Sequence, residues 1–329
     1  MYGAKGDGKT DDSAAIQAAI DAAGRSATIY LGKKEYKIST GITITKNRAH
    51  FVCDGILKYD GTEAALKLES IALCDINVYA IEAPNGTAVL LDSTNGEVGG
   101  STICVKHVIE SRIGLHLKGS LGGAPAGGGH NIFYNKITME GTIYSTDTCV
   151  FIEAIDALVS ENIFRLGRLY GGALYGIRIH CNDTDGGDQV VGHGARNMFY
   201  GGNFEGLSDD GCSIYMHNTS HNTFVNWRVF EAYGKYTVVF SGECEANDVG
   251  LSRVALTEID TTNLTGTGVY KNILRSPCIV GGNMNNLSGL NKIWLSFEDG
   301  FTSEYSNIEK MLHTETWIFT LSDGTVIEK

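Results

Sequence analysis

Glutamates recur at one position of a repeat in this sequence. The phrase Asn-x-(Phe, Val or Leu) returns at Asn131, Asn162, Asn197, Asn222, Asn247 and Asn272, at spacings of 31, 35, 25, 25 and 25 residues. Eight or nine residues after the first four of these stand Glu140, Tyr170, Glu205 and Glu231. If each repeat is one turn of a stack whose strands lie ~4.8 Å apart, Glu205 and Glu231 come to roughly 5 Å and Glu140 and Glu205 to roughly 10 Å. Retaining glycoside hydrolysis uses two carboxyl groups about 5 Å apart and inverting hydrolysis about 6.5–9.5 Å. Mutual repulsion raises the pKa of one member, which suits it to donate a proton. The same column also describes strand ends whose Glu faces solvent or a groove between subunits, and both readings remain open.

A second acidic group lies in the longest repeat: Asp183, Asp185 and Asp188, then Gly192-His193-Gly194, with Asp209-Asp210 one repeat later. Asp209 and Asp210 join Glu205 and Glu231 as candidate acid and base residues. Asp183, Asp185 and Asp188 alternate with small residues and are weak calcium candidates, without the Glu or the spacing of an EF-hand. No other cofactor is expected. Tyr170, Tyr175, Tyr200, Tyr215, Trp227 and Tyr233 fall in the same repeats. Of these, Tyr170, Tyr175, Trp227 and Tyr233 are candidates to stack on sugar rings, with Arg178 and His193 as polar contacts; core packing explains the aromatics equally well. A lyase acting on uronic acids needs Arg or Lys beside its acid and base, and Arg178, Arg196 and Arg228 are available for that.

Short β-branched strands separated by Gly, Asn and Asp, at a period near 25 residues, predict a stacked solenoid with about three strands of ~5 residues per turn. No repeat holds ten residues at helical spacing, which excludes helical solenoids. An inward Asn at the same place in successive turns predicts a ladder of side-chain amides, with the residue two positions later supplying the core.

The chain has 329 residues, 43% of them hydrophobic, with 42 Gly and 3 Pro. That composition suits a large core and frequent tight corners. A net charge of -12 makes nucleic acid and anionic membranes poor partners. Eight cysteines, scattered singly, predict buried small apolar side chains rather than disulfides or a zinc site. No apolar run is long enough to insert in a membrane and no export leader is apparent, so a soluble chain is expected.

The opening is the most specific stretch. Tyr2-Gly-Ala-Lys-Gly-Asp-Gly-Lys-Thr-Asp-Asp-Ser leads into a short helix at Ala14–Gly24, with Asp11, Asp12 or Ser13 as its cap, then into strands at Thr28, Tyr36-Lys-Ile-Ser39 and Gly41. Residues 2–44 resemble the opening of the pectate-lyase-like superfamily found in phage and prophage tailspikes, with Gly32-Lys-Lys where that family usually has Pro-Pro-Gly. The resemblance implies an all-β, right-handed parallel β-helix with an N-terminal capping α-helix. The expected divisions are a cap at 1–45, coils at 46–290 and a small β element at 291–329, where Trp317-Ile-Phe-Thr-Leu and Thr325-Val-Ile-Glu read as a hairpin. Residues 119–130, rich in Gly, read as a surface loop between coils.

By resemblance, the expected protein is a homotrimeric tail spike of a phage virion that binds host polysaccharide and depolymerises it. A non-catalytic receptor-binding scaffold and an extracellular, monomeric polysaccharide lyase or hydrolase remain open, because the same opening precedes all three. The phrases around Asp185, His193, Asp209 and Asp210 also resemble fragments of the polygalacturonase set. Gly-His-Gly precedes the Asp pair here instead of following it, so that activity is not carried over.

Overall fold

In the strand His50–Tyr59 every second residue is buried, from Phe51 to Tyr59, and this period-2 alternation is repeated up the molecule. The computed structural model describes residues 2–120, 130–155, 157–182, 193–229 and 234–251, together with strands at 257–259, 273–276, 284–285, 292–295, 318–320 and 326–328. Nearly every described element is a strand, and the strands of the large sheet pair in parallel with counterparts one turn away. The result is a parallel β-solenoid, the architecture the repeat predicts.

Each turn lays down three runs. On the first, Phe51, Ile76, Ile103, Ile137, Phe164, Phe199, Phe224 and Val249 stand in one inward column. The Phe164, Phe199 and Phe224 rings stack at 4.5 and 4.4 Å between centroids. The second run contributes Ile81, Val108, Ile143, Leu169, Phe204 and Val229. The third contributes Leu66, Val89, Leu115, Val150, Ile177, Ile214 and Val238. All of these are buried and close one continuous core.

The corner before the first run carries the amide ladder. Backbone N–H groups of Asn135, Asn162, Asn197 and Asn222 donate to the Oδ1 of Asn162, Asn197, Asn222 and Asn247 in turn, at 3.0–3.1 Å, and each Nδ2 donates to the same oxygen. Ser101 extends the ladder downward, donating its N–H to Asn135 Oδ1 and accepting the Cys74 N–H on its hydroxyl. The residue before each ladder position has a left-handed backbone: Leu73, Gly100, Tyr134, Glu161, Arg196, His221 and Ala246, with φ between 52° and 63°. That conformation disfavours side chains with a Cβ, and the amide bonds beside it hold the turn in place.

Asn131 is not a rung. It lies earlier on the corner, where its Oδ1 accepts the Leu158 N–H at 3.0 Å, and Asn135 takes the place the repeat assigned to it. Asn272 lies outside the described residues. At the next corner successive backbones approach so closely that a Cβ on Gly141 or Gly167 would fall 2.0–2.1 Å from a carbonyl oxygen of the turn below, a use of glycine that accounts for part of its abundance.

The helix α1 spans Ser13–Ala22 and buries Ile16 and Ile20. Asp12 stands at its N-cap position without capping it and instead accepts the N–H groups of Lys5 and Gly6. The predicted loop at 119–130 begins later than expected, because Gly119 and Ser120 end the strand Thr102–Ser120; residues 121–129 lie outside the described set. Near the C-terminus, Ile318–Thr320 pairs antiparallel with Val326–Glu328, as the hairpin pattern predicts.

Candidate functional site

The outward positions of the third run form two parallel rows up the solenoid. One row reads Lys67, Leu90, His116, Phe151, Arg178, Tyr215 and Val239. The other, two residues on in each strand, reads Glu69, Asp92, Lys118, Glu153, His180, His217 and Ser241. Successive strands lie ~4.8 Å apart, so vertical neighbours in these rows touch. A solvent-facing side of a strand ordinarily carries unrelated polar residues. This one carries cations, imidazoles, carboxylates and rings in contact.

Arg178 is the centre of the upper part. Its guanidinium lies 4.9 Å from the Phe151 ring centroid, 5.0 Å from that of Tyr175 and 6.0 Å from that of Tyr215. Such contacts orient the cation but leave its N–H donors unspent. Arg178 Nε is buried and has no hydrogen-bond partner among the described residues, and the same holds for His180 Nδ1 on the same strand. Below, the His116 ring stacks on Phe151 at 4.6 Å and its Nε2 lies 3.2 Å from Glu153 Oε2. That hydrogen bond, acting against burial, holds the Glu153 carboxyl below the usual range.

Burial, with the Arg178 charge beside it, pushes the His180 imidazole the other way from an ion pair, toward its neutral form. His180 stacks on His217 at 4.8 Å, and its Nε2 lies 3.0 Å from Asn182 Oδ1. Lower still, Lys67 bridges Glu69 and Asp92 at 2.9 and 3.0 Å. The face can therefore hold an anionic group at Arg178, present rings to a sugar, and exchange protons through His, Glu and Tyr.

The residues singled out by sequence are dispersed. Arg178 and Tyr175 lie on this face. Tyr170 ends the second run, edge-on to Tyr144 at 5.0 Å with Arg168 4.2 Å over its ring. Glu205 is held by Arg168 Nε and by Asn203 Nδ2 at 3.2 Å. The register also corrects the expected column. Tyr170 pairs with Tyr144 rather than Glu140.

Trp227 is fully buried, stacked on Phe204 at 4.7 Å with its Nε1 donating to the Phe199 carbonyl, and it serves the core rather than a sugar. Asp209 and Asp210 sit in an exposed turn. His193 begins the short strand His193–Ala195 and pairs with Leu158. Glu231, Tyr233, Asp183, Asp185 and Asp188 lie outside the described residues. Among the described residues no cluster of His, Cys, Asp or Glu is arranged to hold a metal, and no helix is long and apolar enough to cross a membrane.

His116, Phe151, Glu153, His217 and Ser241 escaped sequence reasoning. Their signal is a polar or aromatic residue set between apolar ones in Leu115-His-Leu-Lys, Val150-Phe-Ile-Glu, Ile177-Arg-Ile-His and Ile214-Tyr-Met-His.

The fold and the face define a parallel β-solenoid with a polar and aromatic strip along one side. Residues 1–85 match the model of the family described as rhamnogalacturonase A/epimerase, pectate lyase-like. Over 42 residues, 12% of this chain, it is 62% identical to alginate lyase 7 of Azotobacter vinelandii, and it spans only 5% of the length of that relative. Among solved structures it is similar to ORF18 of Geobacillus virus E2, at 14% identity and TM-score 0.42, over 98% of this chain and 64% of that one. It is also similar to the phiAB6 tailspike solved with oligosaccharides of Acinetobacter baumannii surface polysaccharide, at 14% identity and TM-score 0.40, over all of this chain and 54% of that one.

Proposed function

We propose that this chain is a tailspike-like protein of a phage or prophage tail, assembled as a homotrimer, which binds an acidic cell-surface polysaccharide along the third run and cleaves it. The observation that carries the reading is Arg178, packed among Phe151, Tyr175 and Tyr215 with a buried donor unspent, beside a row that includes Glu153, His180 and His217. Rings for sugar faces and a cation for a sugar acid, next to groups that exchange protons, are what cleavage of an acidic glycan asks of a surface. The pectate lyase-like opening agrees with this substrate class. Acid–base chemistry on this face takes the place of the Glu205 and Glu231 pair, since Glu205 is committed to Arg168.

The test is glycan binding and release of oligosaccharides from acidic capsule and wall polysaccharides by the wild type, Arg178→Gln and Arg178→Lys. Losing a charged hydrogen bond worth about 1.5–3 kcal/mol weakens binding by about 10- to 100-fold in Arg178→Gln, with partial recovery in Arg178→Lys. Unchanged affinity in a folded Arg178→Gln protein would place binding elsewhere. Binding without release would leave a receptor-binding spike.

A further inference from the structure

A chain of hydrogen bonds behind Tyr215 has no role in packing the core. Ser241 Oγ donates to the Tyr215 phenol oxygen at 2.9 Å, and the same Oγ lies 2.8 Å from His217 Nδ1. A serine hydroxyl has one proton. With that proton given to Tyr215, the contact between His217 and Ser241 is an imidazole N–H donating to Oγ. The order of donation therefore runs from His217 through Ser241 to Tyr215. Because its oxygen is accepting from Ser241, the phenol's own proton points away from the relay, and Arg178 lies over the face of the same ring, 6.0 Å from its centroid. Ser241, in the middle of the chain, is buried, whereas Tyr215 and His217 at its two ends are half-buried and reach the surface. Three polar groups on two adjacent strands are thus aligned toward one outward proton.

We infer that Tyr215 is the proton donor to the leaving glycosidic oxygen, and that Ser241 and His217 are the positioning residues that resupply it. This rests on the cleavage reading of the same face. In the step, the Tyr215 phenol proton passes to the glycosidic oxygen as the bond between that oxygen and the sugar carbon breaks, while a water molecule forms a new bond to that carbon and releases its extra proton to solvent. The Ser241 proton moves to the phenolate, and the Nδ1 proton of His217, present as imidazolium, moves to the serine oxygen. The net change is hydrolysis of the glycosidic bond, with imidazolium turned to neutral imidazole and one proton released to solvent, from which His217 is reprotonated. The logic is that of a proton-transfer group oriented by a second and a third partner.

The experiment measures kcat, glycan Kd and the pH profile of oligosaccharide release for the wild type, Tyr215→Phe, Ser241→Ala, Ser241→Thr and His217→Gln, each checked for folding by thermal melting. Tyr215→Phe is expected to lower kcat about 10²- to 10⁴-fold with Kd nearly unchanged. The wild-type rate is expected to fall as pH rises, because a neutral imidazole has no proton to spare for the relay. Ser241→Ala and His217→Gln should lower kcat and flatten that fall, and Ser241→Thr, which keeps the hydroxyl, should restore it. A Tyr215→Phe protein that cleaves like the wild type overturns the inference alone, as do Ser241→Ala and His217→Gln proteins with wild-type rate and profile. A wild type that binds glycan and releases nothing overturns the cleavage reading and this inference with it.

Discussion

Asn197 shows how much one residue carries in a stacked fold. Its Oδ1 accepts both the N–H and the side-chain amide of Asn162, while its Nδ2 donates to the Val159 carbonyl and to Asn222 Oδ1. All of these groups are buried, so none regains a partner from water if the amide is removed. Each orphaned group costs about 1–3 kcal/mol. Asn197→Ala is therefore expected to lose several such increments and to melt well below the wild type, with the loss of protection largest in hydrogen exchange at Asn162, whose N–H donates to the Asn197 amide, and extending to its ladder neighbour Asn222. Wild-type exchange at both positions would refute the ladder as a source of stability. Trp227 makes the complementary case. Truncation to Ala costs about 3–5 kcal/mol as a core cavity, whereas Trp227→Phe, which keeps the ring stack on Phe204 and leaves the Phe199 carbonyl without its indole donor, should leave glycan affinity unchanged. A matched loss of affinity in Trp227→Phe at unchanged melting temperature would return it to the binding surface.

At the scale of elements, the repeat was legible because inward positions tolerate few residue types. Phe164, Phe199 and Phe224 each stand two residues after a ladder Asn, and the sequence shows that spacing directly. Asn131 misled because Asn-Ile-Phe reads like its neighbours, while the true rung, Asn135, opens Asn-Lys-Ile; what defines a rung is the left-handed residue before it, Tyr134, and no residue type announces that conformation. The candidate site was less legible for a physical reason. Outward residues are free to vary, so a row assembled from one residue per strand becomes visible only when register is known, and the bulges between the first and second runs shift that register. Counting from Asn131 therefore placed Glu140 in one column with Tyr170, where the register places Tyr144.

The helix is held by a similar long-range bond: Gln17 Oε1 accepts the Thr43 N–H at 2.9 Å and its Nε2 donates to the Thr43 carbonyl at 3.0 Å, so one side chain pairs with the strand as a further strand would. Gln17→Ala is expected to cost about 1–3 kcal/mol and to speed exchange at Thr43 ahead of the central turns. Exchange at Thr43 unchanged by the substitution would show the helix to be held by Ile16 and Ile20 alone.

For the whole molecule, stability should decline on acidification, and the third run determines where. The His180 pKa is lowered from the ordinary 6.5 by burial and by Arg178, so the unfolded chain takes up a proton there before the folded one does. Its contribution is complete above 6.5 and is lost as pH falls below that value. The Glu153 pKa is lowered from 4.5 chiefly by the His116 hydrogen bond, so its contribution is complete above 4.5 and is lost as pH falls through its folded value. Both act in the same direction. Against them stands the relief of self-repulsion as a chain of net charge -12 is neutralised by acid. That term is long-ranged and is screened beyond about 8 Å at physiological ionic strength, whereas the His180 and Glu153 contacts are short and half-buried. Melting at about 0.15 M salt should therefore show stability falling in two steps, one beginning near 6.5 and one below 4.5. His180→Asn should remove the first step and Glu153→Gln should shrink the second, to which Asp7, Asp11 and Asp92, whose carboxyls are also held low, contribute as well. A wild type that grows more stable between pH 7 and 5 at that salt would show net charge outweighing the buried imidazole.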